Sequence, residues 1–395
     1  MTGPGPGWSY GGPPPTRPWG AQPQVPRSWV PAPPLPPPPP PPTGGRPVTP
    51  PGAPPFDEPQ PYAWLMRSRD WAWWRPLLGL LLFAVLYAVA AVVVVFVVVL
   101  TGVVPVADLL QLTDPGVLLV TNASLIVAIP IVWAAWAVAH GMGRGWSGSV
   151  RGRIRWQLLR PLTWRALVTI GVGVVVTIGL SLTDGPVSIT GPDGSYVWLL
   201  VVVLLTTPLQ SAAEEFVFRG YLSQTVAAWF RTERTGAVVA AVLTAALFSA
   251  AHAPPDVLTF ADRFVFGLAA SWVTRLTGGL EAAIVLHAVN NVVVFVLAGA
   301  LGGDTGTALP LSFGISLLIT LLDVVAMGAY VWLVARARRT LRPELASPAV
   351  DLRRPPTARQ QTWQPTWVPA PPLLPQAPAS TVPEPDPRWS REGGA

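Results

Sequence analysis

Three apolar stretches of this chain carry side chains that can move protons, and their spacing groups them by helix face. Glu214, Glu215 and Arg219 stand in AAEEFVFRGYL, Phe248 and His252 in LFSAAHAPP, and His287, Asn290 and Asn291 in LHAVNN. An ionisable group deep in a spanning segment costs on the order of 3 kcal/mol on insertion scales, so each is a functional hypothesis by default. Residues four apart share a helix face, so Glu215 can pair with Arg219, the carboxylate N-terminal to the cation. Glu214 is turned about 100° from Glu215 and is left for other work. Phe248 with His252, and His287 with Asn291, likewise present single faces. The chain has 3 histidines, and two of them fall in these groups.

Two chemistries fit this set. A carboxylate, two imidazoles and an amide suit hydrolysis by a carboxylate-activated water, with N–H donors aimed at the developing oxyanion. Glu214, His252 and His287 also make a zinc ligand set with an open fourth position for water. HExxH is absent, so the expectation is no cofactor, with zinc as the alternative. Each group also has a plainer reading. Glu215 with Arg219 could be an interfacial ion pair, and His252 the cap of a helix that Pro254 and Pro255 end. Asn290 and Asn291 could be interhelical glue. Phe248 is expected to shape a pocket rather than react. His140 reads as interfacial and Asp323, in LLDVVAMG, as a packing residue.

Helices long enough to cross a bilayer must position these groups, which takes about 20 mostly apolar residues each. Eight stretches qualify: 77–100, 117–139, 166–183, 196–213, 236–252, 264–276, 281–301 and 312–335, the sixth only with neighbouring residues. Arginines gather before the first, between the second and third, after the fourth and after the eighth. The loops 101–116, 184–195 and 302–311 hold no Arg but several Asp. That alternation predicts a multi-pass, all-α membrane bundle with both termini cytoplasmic. One tension follows. If the fifth span runs outward from residue 236, His252 lies about 24 Å from the inner surface, beyond Glu214 and His287. A shared site needs a fifth span that starts deeper or tilts, or a longer fourth span kinked at Pro208.

Composition bounds the rest. With 51% hydrophobic and 12% charged residues, the chain is not a soluble globule. Cys 0 removes disulfides, thiolate metal sites and a cysteine nucleophile. The net charge of +6 comes from arginines that flank apolar runs, so it points to the bilayer and not to nucleic acid. All 26 basic residues are Arg, which suggests a bacterial source. Residues 1–62 hold 25 prolines and 343–395 another 13, so both ends are expected to be disordered cytoplasmic tails. They could tether, or dock proteins that read proline-rich motifs. The membrane domain is then 63–342.

Taken together, EExxxR (Glu214 to Arg219), FxxxH (Phe248 to His252) and HxxxN (His287 to Asn291) resemble the CPBP intramembrane proteases. That family includes type II CAAX prenyl endopeptidases and bacteriocin-processing and self-immunity proteins. The likeness covers about residues 195–300, with FRGYL and TGGLEAAIVLHAVNN. It implies peptide-bond hydrolysis of a membrane-associated peptide or protein inside the bilayer. By that resemblance Glu214 is the general base, supported by Glu215 and Arg219. His252 positions water or shuttles a proton, and His287 with Asn291 stabilises the oxyanion. The alternative is a non-catalytic membrane scaffold or immunity protein that recruits partners through its tails. Gly145-Trp146-Ser147-Gly148 matches a serine-protease pattern but lies in an arginine-rich loop. A transporter is disfavoured because no inverted repeat is evident.

Overall fold

The structure, a computed structural model, describes residues 58–67, 71–102, 111–184, 189–302 and 311–348. The proline-rich tails fall almost wholly outside them. Among the described residues the chain is all-α, with isolated bridges only at Pro61 with Ala346 and Ser149 with Gly279. Eight helices are long and apolar enough to cross a membrane. They are α1 (Arg75–Thr101), α2 with α3 (Pro115–Ile126 and Ala128–His140), and α4 with α5 (Trp156–Ala166 and Val172–Ser181). The fourth combines α6 (Tyr196–Glu215) and α7 (Ser223–Ala228). The last four are α8 (Glu233–Ala251), α9 (Val257–Thr277), α10 (Glu281–Leu301) and α11 (Phe313–Leu341). This is a multi-pass membrane bundle, as its composition requires.

Local chemistry sets where the helices begin and end. Asp114 caps α2, accepting from Val117 N at 2.9 Å, and Pro115 follows as the first helical residue. Asp256 caps α9 in the same way through Thr259 N at 2.9 Å, just past the Pro254-Pro255 pair that stops α8. Gly278 ends α9 with φ +67°, and a Cβ there would lie 2.3 Å from the Glu344 carbonyl, so only glycine fits.

The third span starts at Trp156, ten residues before the sequence-based start. Arg160 and Arg165 therefore ride on α4 and not in a loop. The reason is amphipathicity: Leu158, Leu162 and Ala166 recur every four residues and are buried, while Trp156 and Arg160 face out. The sixth span likewise starts at Val257, which draws Asp262 and Arg263 into it.

One core cluster joins α4, α5, α8, α9, α10 and α11 around Leu286, Phe248 and Tyr330. Beneath it, the segment 141–155 is pinned to the turn between α9 and α10. Leu280 N donates to Gly148 O at 2.9 Å and Val150 N to Gly278 O at 3.0 Å. Buried Arg155 reaches Glu281 Oε1 and Oε2 at 2.9 and 2.7 Å and the Thr277 carbonyl at 2.9 Å. Helix α10, which carries His287, is thus fixed at its base.

Candidate active site

The fourth span runs 33 residues, Tyr196–Ala228, and does not stop at 213. Within it, Phe216–Leu222 is a π-helical stretch, a rare local widening often found at functional sites. Glu214 is 14 residues before Ala228, about 21 Å at 1.5 Å per residue. The chain turns at 229–232 and α8 climbs back for 19 residues, about 28 Å. The two rises agree to within about 7 Å, and His252 at the end of α8 reaches Glu214, Nε2 to Oε2 at 3.7 Å. A longer fourth span resolves the depth conflict.

The convergence is tight. Glu214 Oε2 lies 3.7 Å from His252 Nε2 and 3.9 Å from His287 Nε2. Glu215 Oε1 accepts from Arg219 Nη1 and from His287 Nδ1, both at 2.8 Å. Glu215, Arg219 and His287 are buried. His252 Nδ1 sits 2.7 Å from the Phe248 carbonyl. A carbonyl only accepts, so that nitrogen carries the proton and Nε2 turns a lone pair toward Glu214 when the ring is neutral. The carboxylate on His287 Nδ1 fixes the same orientation there. Glu214 Oε1 accepts from Gln210 Nε2, while Oε2 is buried without a hydrogen bond.

Phe248 holds the group together without reacting. Arg219 lies over its ring at 4.5 Å, and the rings of His252 and His287 lie 4.6 and 5.7 Å from it. Asn291 Nδ2 donates to Gln210 Oε1 at 3.4 Å. Every residue singled out in the three motifs is thus gathered in one place. His140, at the end of α3, is buried within the bundle, 3.3 Å from the Tyr221 hydroxyl. Ser147 does not line the cavity described next.

A cavity of about 360 Å³ opens above Glu214, His252, His287 and Asn291. Its far walls are apolar, with Leu118, Val174, Val294 and Met327 among them. Three groups that sequence reasoning passed over also line it: Gln210, Asp262 and Arg263. Asp323 lines it too, within reach of Asp262's charge. The signal for Gln210 was there, an amide four residues before Glu214 on the same face. Asp262 stands outside the apolar stretch 264–276 but within the helix, which begins seven residues earlier, at Val257.

Zinc can be tested against this geometry. The donor types suit it, and each imidazole has the outer partner that metal-bound histidines use. Bonds of about 2.0 Å in a tetrahedron bring ligand atoms to about 3.3 Å from one another. The separations here are 3.7 and 3.9 Å, and among the described residues no group of three or more His, Cys, Asp or Glu is arranged to hold a metal ion. Zinc would need these atoms to close by a few tenths of an ångström.

Residues 194–293 match the family model described as type II CAAX prenyl endopeptidase Rce1-like. Over this segment the chain is similar to that family. The matched segment contains Glu214, Glu215, Arg219, Phe248, His252, His287 and Asn291, in keeping with the CPBP resemblance. A protein of Bacillus subtilis (strain 168), the uncharacterized protein YyaK, is 30% identical over 102 residues. That match takes in 24% of this chain and 33% of the relative. The chain matches no solved structure.

Proposed function

We propose that the chain is an intramembrane endopeptidase that hydrolyses a peptide bond of a membrane-associated peptide or protein. One observation carries this reading: Glu214 Oε2, buried and not hydrogen-bonded, stands within 4 Å of two imidazole Nε2 atoms at the polar end of a cavity. Glu214 takes a proton from a water molecule lodged among these three atoms. His252 Nε2 accepts the other water hydrogen and so orients the oxygen. The hydroxide attacks the peptide carbonyl carbon, and the charge moves to the carbonyl oxygen.

Asn291 supports that oxyanion with the Nδ2 hydrogen it does not give to Gln210. His287 joins it as a donor when Nε2 is protonated, its other nitrogen held by Glu215. The C–N bond then breaks as the proton on Glu214 passes to the leaving amine, restoring the carboxylate. Water enters, and an acid and an amine leave. Every step uses this chain's own side chains. The arginines at alternate loops support cytoplasmic placement of both ends.

The test compares new protein N-termini in membranes from cells expressing the wild type or Glu214→Gln, which removes the base and nearly keeps the shape. Termini present only with the wild type support proteolysis and identify the substrate. Identical profiles from two folded, inserted proteins overturn the enzyme reading in favour of a scaffold.

A further inference from the structure

Gln210 sits four residues before Glu214 on α6, buried at 6% exposure. An ionised carboxylate only accepts hydrogen bonds, so Gln210 must offer its Nε2 to Glu214 Oε1. Its Oε1 is then left to accept, and it does so from Asn291 Nδ2 at 3.4 Å and Ser211 Oγ at 3.3 Å. Asn291 has thereby committed its nitrogen, and its Oδ1 accepts from Asn290 Nδ2 at 3.1 Å. Each amide's orientation follows from the one before it. A flip anywhere would set donor against donor or acceptor against acceptor.

We propose that Gln210 is a positioning residue for the Glu214 carboxylate, the last link in a one-way amide chain from Asn290 through Asn291. This rests on the reading of Glu214 as the base. A free glutamate side chain can swing through several rotamers and present either oxygen. Here Oε1 is tied by an N–H from the same helix, which leaves Oε2 as the oxygen that faces His252 and His287. Amides aligned head to tail polarise one another, which strengthens the tie on Oε1. It also links α6 to α10, so the base and the oxyanion donor hold a common register.

The experiment uses the full-length protein in vesicles and two variants, Gln210→Leu and Gln210→Glu. The probe is a quenched-fluorescence peptide spanning a terminus that depends on Glu214. For Gln210→Leu, kcat falls on the order of 10- to 100-fold, as for other residues that orient a reactive group, while KM changes by less than about 2-fold. Gln210→Glu keeps the volume but faces the Glu214 carboxylate with acceptors in place of the N–H, so kcat falls at least as far.

A second readout is independent of turnover. The infrared carboxylate stretch that Glu214→Gln abolishes should change frequency in both variants, because Oε1 loses its N–H donor. A band unmoved in either folded variant overturns the proposal, whatever happens to rate. If the wild type cleaves nothing yet the band still shifts, the enzyme reading fails and the positioning role stands.

Discussion

Replacing Arg219 with Met should cost about 3–5 kcal/mol of stability, the range seen when one partner of a buried ion pair is removed. Arg219 and Glu215 are 1% and 0% exposed, with Nη1 and Oε1 2.8 Å apart, so little solvent screening discounts the interaction. At an effective dielectric of about 20 the gross attraction at this distance is roughly 6 kcal/mol, much of it offset by burying both charges. Removing Arg219 alone leaves the Glu215 charge with only His287 Nδ1 beside it, and removes the cation from over Phe248. Methionine nearly fills the volume, which keeps the cavity contribution small. Adding Glu215→Gln removes the stranded charge. The double variant should then be more stable than Arg219→Met alone, with a coupling of at least about 1.5 kcal/mol. Reversible denaturant unfolding in mixed micelles gives all four corners of the cycle. A loss under about 1 kcal/mol for Arg219→Met, or strict additivity, would refute the view that the pair is buried and interdependent.

His252→Ala and His287→Ala should each lower kcat by on the order of 10²–10⁴-fold, and cleavage of the same probe peptide measures it. Because His287 also braces Glu215, only its variant should lower the unfolding midpoint as well. Arg155→Met strands Glu281, buried at 0% exposure, and should cost about 3–5 kcal/mol in the same unfolding assay. Dialysis against a strong chelator should leave the rate unchanged. Loss of activity that zinc alone restores would transfer the chemistry to a metal.

Much of the site was legible because its signals are local. Glu215 with Arg219, Phe248 with His252 and His287 with Asn291 are four-residue spacings, and each pair does share a helix face. The bundle was legible because long apolar runs leave few alternatives to a helix. Span ends were less so. Helix α4 begins amphipathic, and its arginines hid a buried stripe at Leu158, Leu162 and Ala166. The depth of His252 was legible only as a set of alternatives, of which the longer fourth span is the one found. That span depends on helical backbone continuing from Glu215 past Arg219 to Ala228, and no residue type announces a π-helical turn. Arg155 and Glu281 were likewise invisible as a pair, because 126 residues separate them.

Two adjacent glutamates of the same type end up doing different work, and the neighbours decide which does what. Glu215 points where Arg219 and His287 both donate to it, so it is spent on holding those two side chains. Glu214, a helical step away, meets no cation at hydrogen-bond distance. Its one tie is an amide from its own helix, and that tie takes only one oxygen. The remaining oxygen faces two imidazoles whose other nitrogens are already committed, one to a carbonyl and one to a carboxylate. The motif therefore works as an asymmetric device. Exchanging the roles of the two glutamates would require turning the helix by about 100°, which the π-helical stretch and the packing of α10 against α6 oppose. This is why Glu215→Gln should act chiefly through the placement of His287 and Arg219, lowering the unfolding midpoint along with the rate. Glu214→Gln should abolish turnover while leaving the unfolding midpoint nearly unchanged. If the two variants prove indistinguishable in both assays, the division of labour drawn from these contacts is wrong.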